Sequence, residues 1–235
     1  MSGRQDGRYG VLAFGDSITH AGGDVQWGVA LHSWALWVAR GLGLPYSGYA
    51  MDGALVTTVT RFQIPSFRKL AVHAEAGFEL GLLYVGTNDV RQPGWQAAAF
   101  AEEFAAGLGF LAERCDRVLT LTIPLDMGRP RAVAQVEEAN GVIESVARSS
   151  GALVCDLRQF GGRTVMMADH VHPTAFGQIA IAEAALDVLA GDGVEVRARP
   201  WSMIHYSVSR RERMHFDVVY AYRGIKTSLR AFVMR

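Results

Sequence analysis

The chain alternates short apolar runs with segments of helical period, and this alternation limits the folds open to it. Five apolar runs recur, at residues 9–14, 45–51, 78–85, 117–123 and 152–157. Four of them are too continuously apolar to be strands with one face in water, which favours a buried parallel sheet. Between them lie amphipathic segments, such as the stripe Leu31, Trp34, Ala35 and Val38. We therefore predict a doubly wound α/β domain with a five-stranded parallel sheet.

Size and composition agree with one globular domain. The chain has 235 residues, of which 50% are hydrophobic and 20% charged. Cys115 and Cys155 form neither a secreted disulfide framework nor a CxxC metal site, so both are expected to be free thiols. The first apolar run begins within ten residues of Met1, which leaves no room for a signal peptide. We expect a cytoplasmic protein.

Charge is distributed unequally along the chain. The formal net charge is zero, but residues 191–235 hold nine Lys and Arg against four Asp and Glu, so they carry +5 and residues 1–190 carry −5. We predict a catalytic domain over residues 1–190 and a basic C-terminal extension over residues 191–235, docked on that domain.

The extension is predicted to end in a helix from about Met214. Its apolar stripe consists of Val218, Tyr222, Ile225, Leu229 and Phe232. Docking of this helix on its own acidic domain is the favoured interpretation. Contact with an anionic membrane or a protein partner through residues 214–233 is the alternative.

Polar residues cluster where the predicted strands end. Gly15, Asp16 and Ser17 follow the first strand, and residues 52–53 and 86–89 follow the second and third. A further cluster, residues 169–173, precedes the last helical segment of the domain. Because ligands of such sheets bind beyond the carboxyl ends of the strands, we expect all four clusters at one edge.

The sequence motifs of these clusters resemble those of the SGNH, or GDSL-like, hydrolase family. "FGDSIT" (14–19) matches the first block of the family, Gly53 the second, "GTND" (86–89) the third and "DHVHP" (169–173) the last. The resemblance covers roughly residues 9–190. It implies a flavodoxin-like three-layer α/β/α fold and a serine hydrolase that cleaves esters.

The resemblance also implies roles for single residues. Ser17 is the nucleophile, which needs an adjacent base because a serine hydroxyl is a poor nucleophile at neutral pH. His172 is the predicted base, and Asp169, three residues earlier, orients it. The oxyanion donors are the N–H of Ser17, the N–H of Gly53 and the side-chain amide of Asn88. Asp16 is expected to hold the loop by local hydrogen bonds rather than to take part in catalysis.

The same residues allow other interpretations. His170 competes for the role of base, but its spacing from Asp169 favours His172. A metal site built on Asp169, His170 and His172 lacks a further ligand at a recognisable spacing. No nucleotide-binding glycine motif is present, so we expect neither a cofactor nor a metal.

The predicted function is ester hydrolysis through a Ser-His-Asp triad and an acyl-enzyme. An acyltransferase or a carbohydrate O-deacetylase with the same triad is the first alternative, and a binding protein that acts through its basic tail is the second. We expect a small-molecule ester as substrate and no nucleic acid partner. Trp27 and Trp95 are candidates for the wall of the substrate pocket, whereas Trp34 is expected to pack in the core.

Overall fold

One parallel sheet organises the molecule. The computed structural model describes residues 9–70, 77–128 and 132–233, and of residues 230–233 only the backbone. The strands are β1 (Val11–Gly15), β2 (Tyr46–Gly48), β3 (Phe78–Tyr84), β4 (Cys115–Leu121) and β5 (Leu153–Cys155). Their order is β2-β1-β3-β4-β5, and every pairing is parallel. This is the flavodoxin-like order, so the predicted fold class is confirmed.

Helices form the layers on the sheet. They are α1 (Trp34–Leu42), α2 (Val56–Thr58), α3 (Ile64–Lys69), α4 (Ala97–Ala112), α5 (Val133–Ser150), α6 (Ala175–Gly191) and α7 (Arg210–Val233). α1 packs against α6, and α4 packs against α5. The interior strand β1, which lies between β2 and β3, is buried along its whole length, as a strand covered on both faces must be.

Capping fixes where α1 begins and ends. The hydroxyl of Ser33 accepts a hydrogen bond from the backbone N–H of Leu36, which makes Ser33 the N-cap. Gly43 ends the helix in the left-handed conformation, with φ 67°. Leu31, which the periodicity placed on this helix, therefore precedes it. The rest of the stripe, including Trp34, is buried in the core.

A π-helical turn over residues 59–63 separates α2 from α3. Such turns add a residue to the helix and redirect the side chains that follow, and they are frequent at functional sites. Here the turn ends at Gln63, whose side chain is buried. The turn thus brings a polar group into the core beside β1.

Helix α7 begins at Arg210, earlier than the predicted start at Met214, because a capping box fixes its N-terminus. The backbone N–H of Glu212 donates to the hydroxyl of Ser209, and the Glu212 carboxylate accepts from the N–H of Ser209. The sequence pattern "SRRE" (209–212) carries this signal. The helix start could therefore have been found from the sequence.

The face of α7 that contacts the domain differs from the expected one. Phe216 packs on Trp27 with ring centroids 5.3 Å apart, and Arg223 forms an ion pair with Asp24. The predicted stripe faces away from the domain; Val218, Tyr222, Ile225 and Leu229 are exposed. The side chain of Phe232 lies outside the described part of the chain.

Among the described residues, no helix has both the length and the apolar character that crossing a bilayer requires.

Candidate active site

The turn that follows β1 is shaped by a glycine and fixed by a buried amide. Gly15 has φ 156°, and a Cβ at this position would lie 2.4 Å from the carbonyl oxygen of Tyr84. Only glycine fits such a close approach of two backbones. The side chain of Gln63 accepts from the N–H of Gly15 at 3.0 Å and donates to its carbonyl at 2.8 Å. The start of the turn is therefore held on both of its backbone groups.

A second buried amide holds the far side of the turn. The Nε2 group of Gln178, on α6, donates to the carbonyls of Ile18 at 2.9 Å and Gly22 at 3.2 Å. Its Oε1 accepts from the N–H of Trp34 at 2.7 Å. Gln178 therefore connects α6, α1 and the turn. Sequence reasoning missed this residue, although a lone polar side chain in the apolar segment 175–182 was the available signal.

Three residues from distant parts of the chain meet at this turn. The hydroxyl of Ser17 lies 3.0 Å from Nε2 of His172, and Nδ1 of His172 lies 2.8 Å from a carboxylate oxygen of Asp169. Contact with the carboxylate requires the imidazole proton on Nδ1, which leaves Nε2 as the acceptor for the Ser17 hydroxyl. The structure thus brings together the three residues that the sequence predicted as a triad.

The carboxylate of Asp169 is held by more than the imidazole. Its second oxygen accepts from the backbone N–H groups of Val171 and His172, at 2.9 and 3.1 Å. Burial opposes ionisation of Asp169, but the hydrogen bonds from the imidazole and from these two N–H groups outweigh it and lower the pKa of the carboxyl. The carboxylate is therefore ionised and fixed in orientation at neutral pH.

The same contact strengthens the imidazole as a base. The hydrogen bond from His172 to Asp169 raises the pKa of the imidazole above that of an ordinary histidine, although burial works in the opposite direction. The negative charges of Asp16 and Asp52 raise it further. A higher pKa favours transfer of a proton from the serine hydroxyl to Nε2.

His170, the alternative to His172 as the base, lies in a different environment. His170 has φ 58°, an uncommon value for a residue with a side chain, and this turns its backbone away from the path of an extended strand. Its Nδ1 lies 3.3 Å from a carboxylate oxygen of Asp126. The hydroxyl of Ser17 contacts His172 instead. The geometry therefore separates the two histidines of "DHVHP".

The candidate oxyanion donors Gly53 and Asn88 lie on two loops that contact each other. The Nδ2 group of Asn88 donates to the carbonyl of Ala54 at 3.0 Å, so the loop after β3 meets the loop that contains Gly53. One Nδ2 hydrogen is used in this bond and the other is free to face a ligand. Gly53 has φ 71°, and a Cβ built there would meet nothing within 4 Å, so the backbone is open on that side.

Asp89, the last residue of "GTND", supports this loop from inside. Its two carboxylate oxygens lie 3.0 and 3.2 Å from the N–H of Val56, the first residue of α2. Burial raises the pKa of Asp89 to about 6, and the backbone hydrogen bond partly offsets this effect. The aspartate thus caps a helix that starts beside Gly53 rather than the segment that follows it in sequence.

Asp16 lies fully buried beside the nucleophile. Its carboxylate accepts from the N–H of Ile18 at 2.9 Å, so the predicted local hydrogen bond is confirmed. Burial raises the pKa of Asp16 to about 7, although the hydrogen bond from Ile18 and the charge of His172 lower it. Asp16 shapes the turn and does not contact the Ser17 hydroxyl in the hydrogen-bond network.

An exposed polar pair stands at the mouth of the site. Nδ1 of His20 lies 2.9 Å from a carboxylate oxygen of Asp52, and both side chains are more than half exposed. Asp52 precedes Gly53, and His20 lies in the turn that carries Ser17. Sequence reasoning placed Asp52 at the sheet edge but did not single out His20, because nothing in the sequence predicts that the two loops meet.

The tryptophans take three different places. Trp34 is buried and its indole N–H donates to the hydroxyl of Thr19, which agrees with the expected core position. Trp95 packs on Phe100 and donates to Glu138. Trp27 lines a cavity of about 620 Å³ between α7 and the loop over residues 24–27. Met167 and Thr174, on either side of the His172 loop, line the same cavity.

Comparison with known proteins identifies a family for most of the chain. The model of the GDSL-like Lipase/Acylhydrolase family matches residues 13–179, which includes all three residues of the triad. The extension over residues 191–235 lies beyond the match. No curated protein matches the chain.

Solved structures share the fold at low sequence identity. An acetylxylan esterase from Geobacillus stearothermophilus is 18% identical, with a TM-score of 0.60 over 81% of this chain and 97% of the esterase. A member of the lipolytic G-D-S-L family from Veillonella parvula is 24% identical, with a TM-score of 0.60 over 77% and 98%. An α/β hydrolase from the metagenome of Lake Arreo is 17% identical, with a TM-score of 0.61 over 77% and 95%.

Proposed function

Because the chain belongs to the GDSL-like Lipase/Acylhydrolase family and is an ester hydrolase, we propose that it cleaves carboxylic esters with Ser17 as nucleophile, His172 as base and Asp169 as the group that orients the base. The observation that carries this proposal is the continuous set of short contacts from Ser17 through His172 to Asp169, at 3.0 and 2.8 Å. Small-molecule esters are the proposed substrates.

In the first step, Nε2 of His172 takes the proton of the Ser17 hydroxyl while the oxygen attacks the ester carbonyl carbon. The carbonyl double bond opens, and its electron pair moves to oxygen to give a tetrahedral intermediate. The imidazolium that forms is stabilised by the ionised carboxylate of Asp169, whose orientation two backbone N–H groups already fix.

The negative oxygen of the intermediate requires donors that are in place before the reaction. We assign this role to the N–H groups of Ser17 and Gly53 and to the free Nδ2 hydrogen of Asn88. Loss of one such donor typically costs ~2.7 to 4 kcal/mol of transition-state stabilisation. The bond between Asn88 and Ala54 supports the assignment because it holds the amide next to Gly53.

The intermediate collapses when the carbonyl reforms and the bond to the alcohol oxygen breaks. The alcohol leaves with the proton from His172, and the acyl group stays on Ser17 as an ester. A water molecule then gives its proton to His172 and attacks the acyl-enzyme. Reversal of the same proton movement releases the carboxylic acid and restores the Ser17 hydroxyl.

Removal of acetyl groups from carbohydrates is the second candidate, and the polar mouth of the site favours it. His20 and Asp52 present an exposed donor and acceptor beside Ser17, and sugar hydroxyls both donate and accept hydrogen bonds. The name of the Geobacillus neighbour, an acetylxylan esterase, supports the same idea. Comparison of rates on acetylated xylan and on p-nitrophenyl esters of increasing acyl length distinguishes this candidate from a general esterase.

Covalent labelling tests the central proposal. A fluorophosphonate probe should add to the wild-type chain at Ser17, and p-nitrophenyl acetate should give a burst of one p-nitrophenol per site if deacylation is the slower step. Ser17→Ala should abolish both signals, whereas Ser149→Ala, at an exposed position on α5, should keep them. A folded wild-type chain that neither labels nor hydrolyses any ester contradicts the proposal.

A further inference from the structure

Over residues 210–229, where the structure describes its side chains, helix α7 carries apolar groups on two opposite faces, and one of these faces contacts the domain. On the inner face, Phe216 packs on Trp27 and lies 6.1 Å from the ring of Tyr220. We call the other set the outer stripe. Its members are Met214 (66% exposed), Val218 (63%), Tyr222 (65%), Ile225 (63%) and Leu229 (61%).

The outer stripe is continuous and narrow. With 3.6 residues per turn, successive residues are about 100° apart, which places all five side chains within an arc of about 80°. Phe216 and Tyr220 fall on the opposite side of the helix. A contiguous apolar surface of this kind on a water-soluble domain usually marks an interaction site.

The contacts of the inner face keep the outer stripe away from the domain. Arg223 pairs with Asp24, and Asp217 lies 3.3 Å from the guanidinium of Arg163. A rotation that buried the outer stripe would break both ion pairs and expose Phe216. The domain of the same chain therefore does not cover the stripe in the orientation that these contacts fix.

The basic side chains beside the outer stripe indicate the kind of partner that covers it. Exposed basic side chains border it: Arg210 and Arg211 at its start and Lys226 at its edge. Residues 191–235 as a whole carry +5. A second copy of α7 facing the first would bring these like charges together, whereas an anionic lipid surface offers an apolar interior and opposite charge.

We propose that the outer stripe of α7 binds the surface of an anionic lipid bilayer, with the helix axis in the plane of the membrane and the basic side chains at the headgroups. α7 lies beyond residue 179, where the family match ends. The inference therefore concerns a part of the chain that the family does not describe, and it does not depend on the proposed catalytic chemistry.

Vesicle flotation with the full chain tests the proposal. Vesicles of phosphatidylcholine and phosphatidylglycerol in a 7:3 ratio should carry the protein upward, and pure phosphatidylcholine vesicles should carry much less. Val218→Glu combined with Ile225→Glu should weaken binding at least about tenfold, because two charges enter the apolar contact. Leu70→Glu is the matched control, since Leu70 is 65% exposed but lies outside α7.

A separate variant tests the electrostatic contribution to vesicle binding. Lys226→Gln should weaken binding to the phosphatidylglycerol vesicles about fivefold and leave binding to pure phosphatidylcholine unchanged, as expected for about 1 kcal/mol per basic residue. Binding should also fall when the salt concentration rises.

Three results would overturn the proposal: no binding by the wild-type chain, equal binding by the double variant and Leu70→Glu, or a dimer in analytical ultracentrifugation that the double variant converts to a monomer. The last result would assign the stripe to a contact between copies. Circular dichroism and the thermal unfolding midpoint report whether each variant is folded. Ser17→Ala should bind vesicles like the wild type, so failure of the catalytic proposal and failure of this one are separable.

Discussion

The catalytic rim, formed by residues 15–22, 52–54, 86–89 and 169–173, and helix α7 are attached to the molecule by different kinds of contact. Buried side-chain amides of Gln63 and Gln178 fix the rim. Ion pairs whose side chains are 42 to 57% exposed fix α7, together with an aromatic contact. Loss of a buried hydrogen bond costs about 1 to 3 kcal/mol, whereas exposed ion pairs contribute about 0 to 1 kcal/mol.

The difference corresponds to the function that we propose for each region. Acyl transfer requires donors and base held within a fraction of an ångström, and water must not compete for their hydrogen bonds. A surface that meets a deformable partner such as a lipid bilayer has no comparable requirement for exact position. Four predictions test this contrast, and we give them from the largest expected effect to the smallest.

Asp169→Asn should reduce kcat by about 10⁴-fold, because an amide in place of the carboxylate favours the wrong imidazole tautomer while the shape is preserved. Ester hydrolysis at pH 8 measures the effect. Asp126→Asn, the same change at the carboxylate beside His170, is the matched control and should stay within about twofold of the wild type. A larger effect at Asp126 than at Asp169 would make His170 the base.

Gln178→Leu should lower the free energy of unfolding by about 3 kcal/mol, because two buried backbone groups and one partly buried carbonyl lose their partner. Urea denaturation measures the change. Gln26→Leu is the control, since the buried amide of Gln26 has no hydrogen-bond partner among the described residues, and it should cost less than about 1 kcal/mol. Equal losses in the two variants would show that burial, not the cross-links, stabilises the rim.

The pH profile of kcat/KM should have an acid limb with its midpoint above 6.5. His172 must be neutral to accept the serine proton, and its contact with Asp169 raises its pKa. Activity should fall about tenfold for each pH unit below the midpoint. Asp52→Asn removes one of the charges that raise this pKa, so its limb should move to lower pH. A limb below 6.5 in the wild type contradicts the interpretation.

Arg223→Gln should lower the free energy of unfolding by less than about 1 kcal/mol, because the pair with Asp24 is exposed to solvent and competes with water. The measurement is the same urea titration as for Gln178→Leu. A loss of about 3 kcal/mol would remove the contrast between the two regions and show that α7 is an integral part of the hydrolase core.

Much of the fold followed from the sequence because two simple signals coincided. Continuous apolar runs marked the buried strands, and the polar residues just after them marked one edge of the sheet. Ser17, Asp169 and His172 could be proposed together because parallel strands bring their carboxyl ends to the same side. Their catalytic roles, and those of Gly53 and Asn88, stay predictions.

What escaped prediction depends on contacts between distant loops. Gln63 and Gln178 act through backbone groups of the turn after β1, and no local pattern connects them to it. Periodicity was ambiguous for α7 because both of its faces carry large apolar side chains. Contacts with residues far away in the sequence, such as Trp27 and Asp24 nearly 200 residues earlier, decide which face packs inward.

The contact between Ser17 and His172 spans 155 positions of the chain. At typical translation rates of about 5 to 20 residues per second, Ser17 is synthesised roughly 8 to 30 s before His172. The nascent chain can form the first strands of the sheet in that interval, but the imidazole that contacts Ser17 in the folded protein is still missing. Under the proposed mechanism, the site is therefore complete only after residues 169–173 have been synthesised and have packed against the turn that carries Ser17.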